Sequence, residues 1–294
     1  MKIATAAYPL DPLEDWAAFA EKLRAWVDEA AGQGAELLLF PEYGAMELAM
    51  LDGPDAAADL ERSIQAVSRW LPQVDELHSD LAAKHGVHIC AASAPVFDDS
   101  LGQRPVNRAR IFTPQGGCGV QDKQIMTRFE REDWDVVPGG PLTVFDTALG
   151  RVAILICYDC EFPLLARAMS DAELILAPSC TEAHAGYSRV RIGAMARALE
   201  NQCVTAMAST VGAAHWCPPV DENTGMGGIF APPDTGFPSS GIIAEGRLDH
   251  AGWTYGEADL RAVAQVRTDG VVLNRTHWDE QPARIAKATK QRLR

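Results

Sequence analysis

The spacing of apolar positions changes several times along this chain, and each change marks an element. "KIATAAYP" (2–9) is short and almost continuously apolar, which predicts a buried strand over 2–8. Trp16, Phe19, Ala20, Leu23, Trp26, Val27 and Ala30 then recur at helical spacing, so a long amphipathic helix follows. "AGQGAELLLFPEY" supplies a glycine stop and a second buried strand near 36–40, with Pro41 and Glu42 just past its end. A helical region fills much of 57–85, and "VHICAAS" (87–93) is the next strand. "NRARIFTPQGG" alternates as a strand and ends in a turn, and "QDKQIM" follows it.

The second half repeats the plan. "RVAILICYD" matches the opening strand as an apolar run ending in tyrosine, and "EFPLLARAM" is a helix candidate. "DAELILAPSC" (171–180) closely matches "GAELLLFPEY" (34–43), both reading A-E-L-x-L-x-P. Two such strand-helix-strand units predict a pseudo-symmetric α/β fold with helices covering sheets. "YSRVRIGAMARALENQC" is a helix expected to carry Ile192, Met195, Leu199 and Cys203 on one face, and "CVTAMAS" is a strand. The stretch 212–241 is rich in Gly and Pro and reads as loop. No polar linker divides the chain, so one domain over 1–294 is expected, with a tail from about 275.

Composition narrows the class. The chain has 294 residues, 47% of them hydrophobic, enough for a large core. The formal net charge of −14 argues against nucleic acid and anionic membranes as partners. The one basic run, "ARIAKATKQRLR" (283–294), reads as a solvated terminal arm. No apolar run has transmembrane or signal-peptide length, and seven cysteines, an odd number, suggest reduced thiols, so a cytoplasmic protein is expected.

Several motifs are missing: there is no G-x-S-x-G elbow and no Walker A loop, and "GGCGVQD" fails the dinucleotide fingerprint. His85 and His88 near Cys90 lack a second pair at zinc-like spacing, so no metal is expected. "LICYDCEF" holds a C-x-x-C pair, Cys157 and Cys160, open to a dithiol, a half zinc site or a single nucleophile. Cys160 sits beside Glu161, which disfavours its thiolate, whereas Cys157 ends a strand, where open α/β folds place chemistry. Glu42 holds the comparable place in the first half, and Lys123 follows the strand at 106–113 and its turn. Together these three can remove a thiol proton and hold an oxyanion; singly they are a turn residue, a solvated lysine and a packing cysteine.

The motifs "LLFPEYGA", "DKQIMTRFERE" and "ILICYDCEFP" resemble, in order, the three signatures of the nitrilase or carbon–nitrogen hydrolase superfamily. "NRARIFTPQG" and "ARALENQC" resemble its flanking strand and helix, and the resemblance covers roughly residues 1–265. It implies an αββα sandwich that pairs through helices into a homodimer or higher oligomer. It implies Glu42 as general base, Lys123 as oxyanion stabiliser and Cys157 as nucleophile, with the Tyr158 N–H as second oxyanion donor. A second glutamate is implied between lysine and cysteine; Glu130 and Glu132 both qualify, and Glu132 is preferred for its distance to "PGG" (138–140). Leu164 departs from the usual glutamate after "FP". Tyr158-Asp159, in place of Trp-Glu-Asn, resembles the amidase branch. The implied activity is hydrolysis of a small linear amide through a cysteinyl thioester, without metal or organic cofactor. A nitrile substrate and a non-catalytic binding protein on the same fold are the rivals.

Overall fold

The computed structural model describes residues 1–293. The first half runs β1 (Lys2–Pro9), α1 (Trp16–Gly32), β2 (Leu37–Leu39), α2 (Pro54–Ala57), α3 (Leu60–His85), β3 (His88–Cys90), β4 (Ala94–Val96), β5 (Val106–Phe112), β6 (Cys118–Asp122) and α4 (Arg128–Glu132). The second runs β7 (Val144–Thr147), β8 (Gly150–Ile154), α5 (Pro163–Ala168), β9 (Leu174–Ser179), α6 (His184–Asn201), β10 (Val204–Ala213), β11 (Glu222–Asn223), β12 (Gly228–Phe230), β13 (Ile242–Glu245), β14 (Gly252–Glu257) and α7 (Leu260–Asp269).

Strands pair in the order β4-β5-β3-β2-β1-β10-β9-β8-β7, with β3, β2, β1, β10, β9 and β8 mutually parallel. β1 meets β10 only near its C-terminal end, Ala7–Pro9 against Ser209–Val211. Further back β1 pairs with β14 and β10 with β12, so the sheet splays into two leaves. Alternation assigns the layers: Ala4, Ala6, Tyr8, Leu38 and Phe40 pack under α1 and α3, while Ile3, Leu37, Leu39 and Ile111 face the second leaf. The second leaf is covered outside by α6 through Tyr187, Val190, Ala194 and Ala198. This is an αββα sandwich, and burial of each such aliphatic side chain contributes about 1.5–3 kcal/mol.

The repeated A-E-L has a physical cause. Glu36 Oε2 accepts the Lys2 N–H at 2.8 Å, and Glu173 Oε2 accepts the Arg151 N–H at 3.0 Å. Each glutamate thus caps the neighbouring parallel strand where it begins, in both halves.

Ile192, Met195 and Leu199 share one face of α6, but that face is turned outward. Ile192 and Leu199 are exposed, and the buried face carries Val190, Gly193, Ala194, Arg197 and Ala198. A Cβ on Gly193 would lie 2.7 Å from the Cys160 carbonyl oxygen, so the helix must present small residues to approach the 157–161 turn. Packing distance, and not side-chain size, chose the face. From 274 onward the described chain is short exposed helical turns, Asn274–His277 and Gln281–Ile285.

Candidate active site

Glu42, Lys123 and Cys157 lie just beyond strand ends where the two leaves meet. Glu42 follows β2, and Lys123 follows β6 with its N–H on the Asn107 carbonyl of β5 at 2.9 Å. Cys157 follows β8, opens a 3-10 turn over Cys157–Glu161 and has φ of +49°. A left-handed residue with a Cβ is strained by about 1–2 kcal/mol, a cost the surrounding bonds must meet to project the thiol at this sharp turn. Asp159 supplies much of that hold: its carboxylate accepts the Ile125 N–H at 2.8 Å and the Gln124 N–H at 3.1 Å. The Cys157 turn and the lysine loop are therefore pinned together. On the other side of Lys123, Asp122 is clamped by Arg108 and takes the Gly140 N–H at 2.9 Å. Gly139 allows that approach, because a Cβ there would fall 2.1 Å from Asp122 Cβ.

The three side chains are buried and converge. Lys123 Nζ donates to Glu42 Oε1 and to Glu130 Oε2, both at 2.7 Å. Asn107 Nδ2 donates to the same Glu42 oxygen at 2.9 Å, and the Cys180 N–H reaches Glu42 Oε2 at 3.0 Å. The Cys157 thiol adjoins Glu42 and lies 3.7 Å from the Cys180 carbonyl oxygen. Cys157, Tyr158, Glu42, Lys123 and Glu130 border one cavity of about 540 Å³.

The structure brings Glu130, and not the preferred Glu132, to the cluster around Lys123. Glu130 is 2% exposed and also accepts from Tyr43 Oη at 2.7 Å, the Thr127 N–H at 2.8 Å and Thr127 Oγ1 at 2.9 Å. Glu132 is 55% exposed and pairs only with Arg128 on the surface. Two residues along a helix turn by about 200°, so the next-but-one glutamate of α4 faces solvent. The signal was in the sequence: Thr127-x-x-Glu130 is a capping box, and both of its bonds form. Asn107, Tyr43, Asp159 and Cys180 were also missed; Asn107 lies among Arg108 and Arg110 in β5, so nothing in its local pattern marked it.

Electrostatics separate the two carboxylates. Burial raises Glu42 above the ordinary glutamate value, with Lys123 pulling against it and Glu130 adding to the rise. Burial also works against Glu130, but Lys123, the Thr127 N–H and Tyr43 outweigh it and hold it below the ordinary value. Lys123 is disfavoured as a cation by burial, yet Glu130 and Glu42 together keep it charged well above its usual range. Burial, then Glu42, pushes the Cys157 thiol well up. Cys160 points elsewhere: it is fully buried, with Sγ 3.5 Å from the Leu155 carbonyl, and lies outside the cavity.

The fold is that of the nitrilase superfamily: yeast (Saccharomyces cerevisiae) Nit3 superposes with a TM-score of 0.70 at 20% identity, covering 91% of this chain and 93% of that one. The model of the family described as carbon-nitrogen hydrolase matches residues 2–279, and the chain belongs to that family. A probable hydrolase of Bacillus subtilis, YhcX, is 33% identical over 274 residues, 92% of this chain and 52% of that protein. The zebrafish (Danio rerio) omega-amidase NIT2 is 27% identical over 194 residues, 62% of this chain and 65% of that protein. The chain thus spans about half to two thirds of the length of these curated relatives. Among the described residues, no helix is long and apolar enough to cross a membrane.

Proposed function

We infer that this chain hydrolyses the carbon–nitrogen bond of a small linear amide through a thioester on Cys157. The observation that carries the reading is the convergence of Glu42, Lys123, Glu130 and Cys157 on one buried cavity. In the first step Cys157 Sγ attacks the amide carbon while its proton passes to Glu42. Burial makes Glu42 more basic and Cys157 less acidic, so proton transfer accompanies attack instead of preceding it. Two of the three Lys123 N–H donors are taken by the glutamates, which leaves the third, with the Tyr158 N–H, for the oxyanion. Collapse breaks the C–N bond, and the proton on Glu42 goes to the leaving nitrogen. Water then attacks the thioester, Glu42 takes its proton, and the thiol is restored as the acid leaves. Glu130, which borders the same cavity, holds Lys123 in place.

Amide is favoured over nitrile because an amide adduct puts an oxyanion on the Lys123 and Tyr158 donors and collapses straight to the thioester, whereas attack on a nitrile puts the charge on nitrogen and gives a thioimidate that must gain a proton and a water before ammonia leaves. The Tyr158-Asp159 pair and the amidase among the relatives agree with this. Matched amides and nitriles of the same acyl group, assayed by ammonia release with mass spectrometry of Cys157, test both points. The expected result is an acyl adduct on Cys157 and a higher kcat/KM for the amide. Consistent preference for the nitrile overturns the choice of bond, and absence of any adduct overturns the hydrolase reading. A homodimer through the outer face of α5 and α6, where Leu164, Ile192 and Leu199 stand exposed, and a cytoplasmic location belong to the same proposal; light scattering of the purified chain tests the first.

A further inference from the structure

The cavity over Cys157 is unequally charged. Its outer wall gathers Glu161 of the nucleophile turn, Glu182 ahead of α6, and Asp221 and Glu222 of the loop after β10. The basic residues of the cavity are Lys123, already held by Glu42 and Glu130, and Arg189, whose Nε is 3.3 Å from Glu161 Oε1. Glu182, Asp221 and Glu222 face no lysine or arginine in that wall; the nearest basic ring to Glu222 is His215, at 3.6 Å.

Acids on a rim would by themselves be an ordinary solvated surface. Three further features give these a ligand to act on. The buried Cys157 thiol opens into the same cavity, which fixes where the reacting end of a substrate lies. Phe129, Trp134 and Tyr158 border the same cavity, and aromatic faces attract cations. The acidic loop is also anchored: Asn223 Nδ2 donates to Val220 O at 2.7 Å, and the Thr224 N–H bonds Thr181 O at 2.8 Å. Val220 and Cys217 are buried beside it, so the backbone that carries Asp221 and Glu222 is held at the mouth of the cavity.

We propose that the cavity selects linear amides whose far end carries an ammonium or guanidinium group. The proposal rests on the hydrolase reading for the reacting end and on the rim for the other. A cleft of one sign raises the local concentration of opposite ions by on the order of 10- to 1000-fold. An amide ending in carboxylate would meet Glu182, Asp221 and Glu222, none with a lysine or arginine beside it in that wall, and would have to draw Arg189 away from Glu161.

Two experiments separate this from the hydrolase reading. The first needs no turnover. Cys157 is labelled with 2-aminoethyl methanethiosulfonate, which is cationic, or with 2-sulfonatoethyl methanethiosulfonate, which is anionic. Each rate is located by peptide mass mapping and divided by the rate on a free small thiol. The cationic reagent should be favoured by on the order of tenfold at low salt, and the bias should shrink at high salt. The second compares kcat/KM for amides of equal length ending in ammonium, methyl or carboxylate, expected to fall in that order. In the Glu182→Gln/Asp221→Asn double variant, checked for folding by circular dichroism, both the labelling bias and the ammonium advantage should fall severalfold. Equal labelling by the two reagents, or preference for the carboxylate-ended amide, overturns the proposal. If no amide is turned over, the hydrolase reading fails alone and the labelling bias still decides the charge of the ligand.

Discussion

Replacing Glu130 by Gln, beside the control Glu132→Gln, probes the cluster most directly. Glu130 receives hydrogen bonds from Lys123, Tyr43 and both Thr127 groups. A glutamine can keep most of them, since its oxygen can face Lys123 and Thr127 while its amide donates to the Tyr43 oxygen. What it removes is one charge of a buried set in which two carboxylates share one ammonium. Stripping a buried ion of its only partner costs about 3–5 kcal/mol. Glu42 remains against Lys123, so the stability loss should be smaller, about 1–3 kcal/mol for a charged hydrogen bond. The effect on rate should be larger. Without Glu130, Lys123 draws wholly onto Glu42, and the base loses the neighbour that helps raise its pKa. A fall in kcat/KM of about 100-fold, or roughly 2.7 kcal/mol, is expected. Glu132 pairs with Arg128 on an open surface, and its replacement should change stability by less than about 0.5 kcal/mol and leave turnover nearly unchanged. Urea unfolding and steady-state ammonia release on both variants give the two numbers. Equal losses from Glu130→Gln and Glu132→Gln, or turnover within twofold of the parent for Glu130→Gln, would refute the argument from burial.

Cys157→Ala should abolish turnover and acyl-adduct formation, whereas Cys160→Ala should keep most activity at a packing cost of about 1 kcal/mol; comparable activity losses, read by ammonia release, would revive a dithiol role. Asn107→Leu removes a donor to Glu42 and should move the rising limb of the kcat/KM–pH profile up by about 1–2 units, the equivalent of one hydrogen bond to a charged group; an unmoved limb would show that Asn107 does not tune the base. Glu47, fully buried under the turn that carries Glu42, is pushed up to about 7 by burial against the pull of Lys22. Its folded pKa exceeds its unfolded one, so it favours the fold below about pH 4.5 and that contribution, roughly 3 kcal/mol, is lost as pH rises through 7. Thermal melts of Glu47→Gln should therefore show a flatter decline over that range than the parent, and parallel curves would sink the assignment.

What the sequence revealed and what it hid divide along one physical line. Strand-ending positions were legible because apolar runs stop abruptly where backbone meets solvent or site. Glu42 and Cys157 follow such stops, and the A-E-L repeat announced two halves whose ends meet, as the Cys180 N–H on Glu42 now shows. Lys123 was legible only through its motif, since nothing in its own neighbourhood marks a lysine that is 1% exposed. The failures arose where neighbours distant in sequence decide a side chain's surroundings. Glu130 and Glu132 are equally polar, and although the Thr127-x-x-Glu130 capping box marks the first, its pairing with Lys123 and Tyr43 is made only across the fold. The inner face of α6 carries Gly193 and Ala194 because the Cys160 carbonyl lies against it, which periodicity of large residues cannot report. The acidic rim is the third case. Glu161, Glu182 and Asp221 are scattered along the chain and look like ordinary surface charge until the fold sets them around one thiol. A net charge of −14 says only that cations are welcome somewhere on this molecule; the sandwich concentrates part of that charge at the mouth of the one cavity that holds Cys157. The candidate catalytic centre is thus local in sequence motifs, and the charge of its rim is a product of topology.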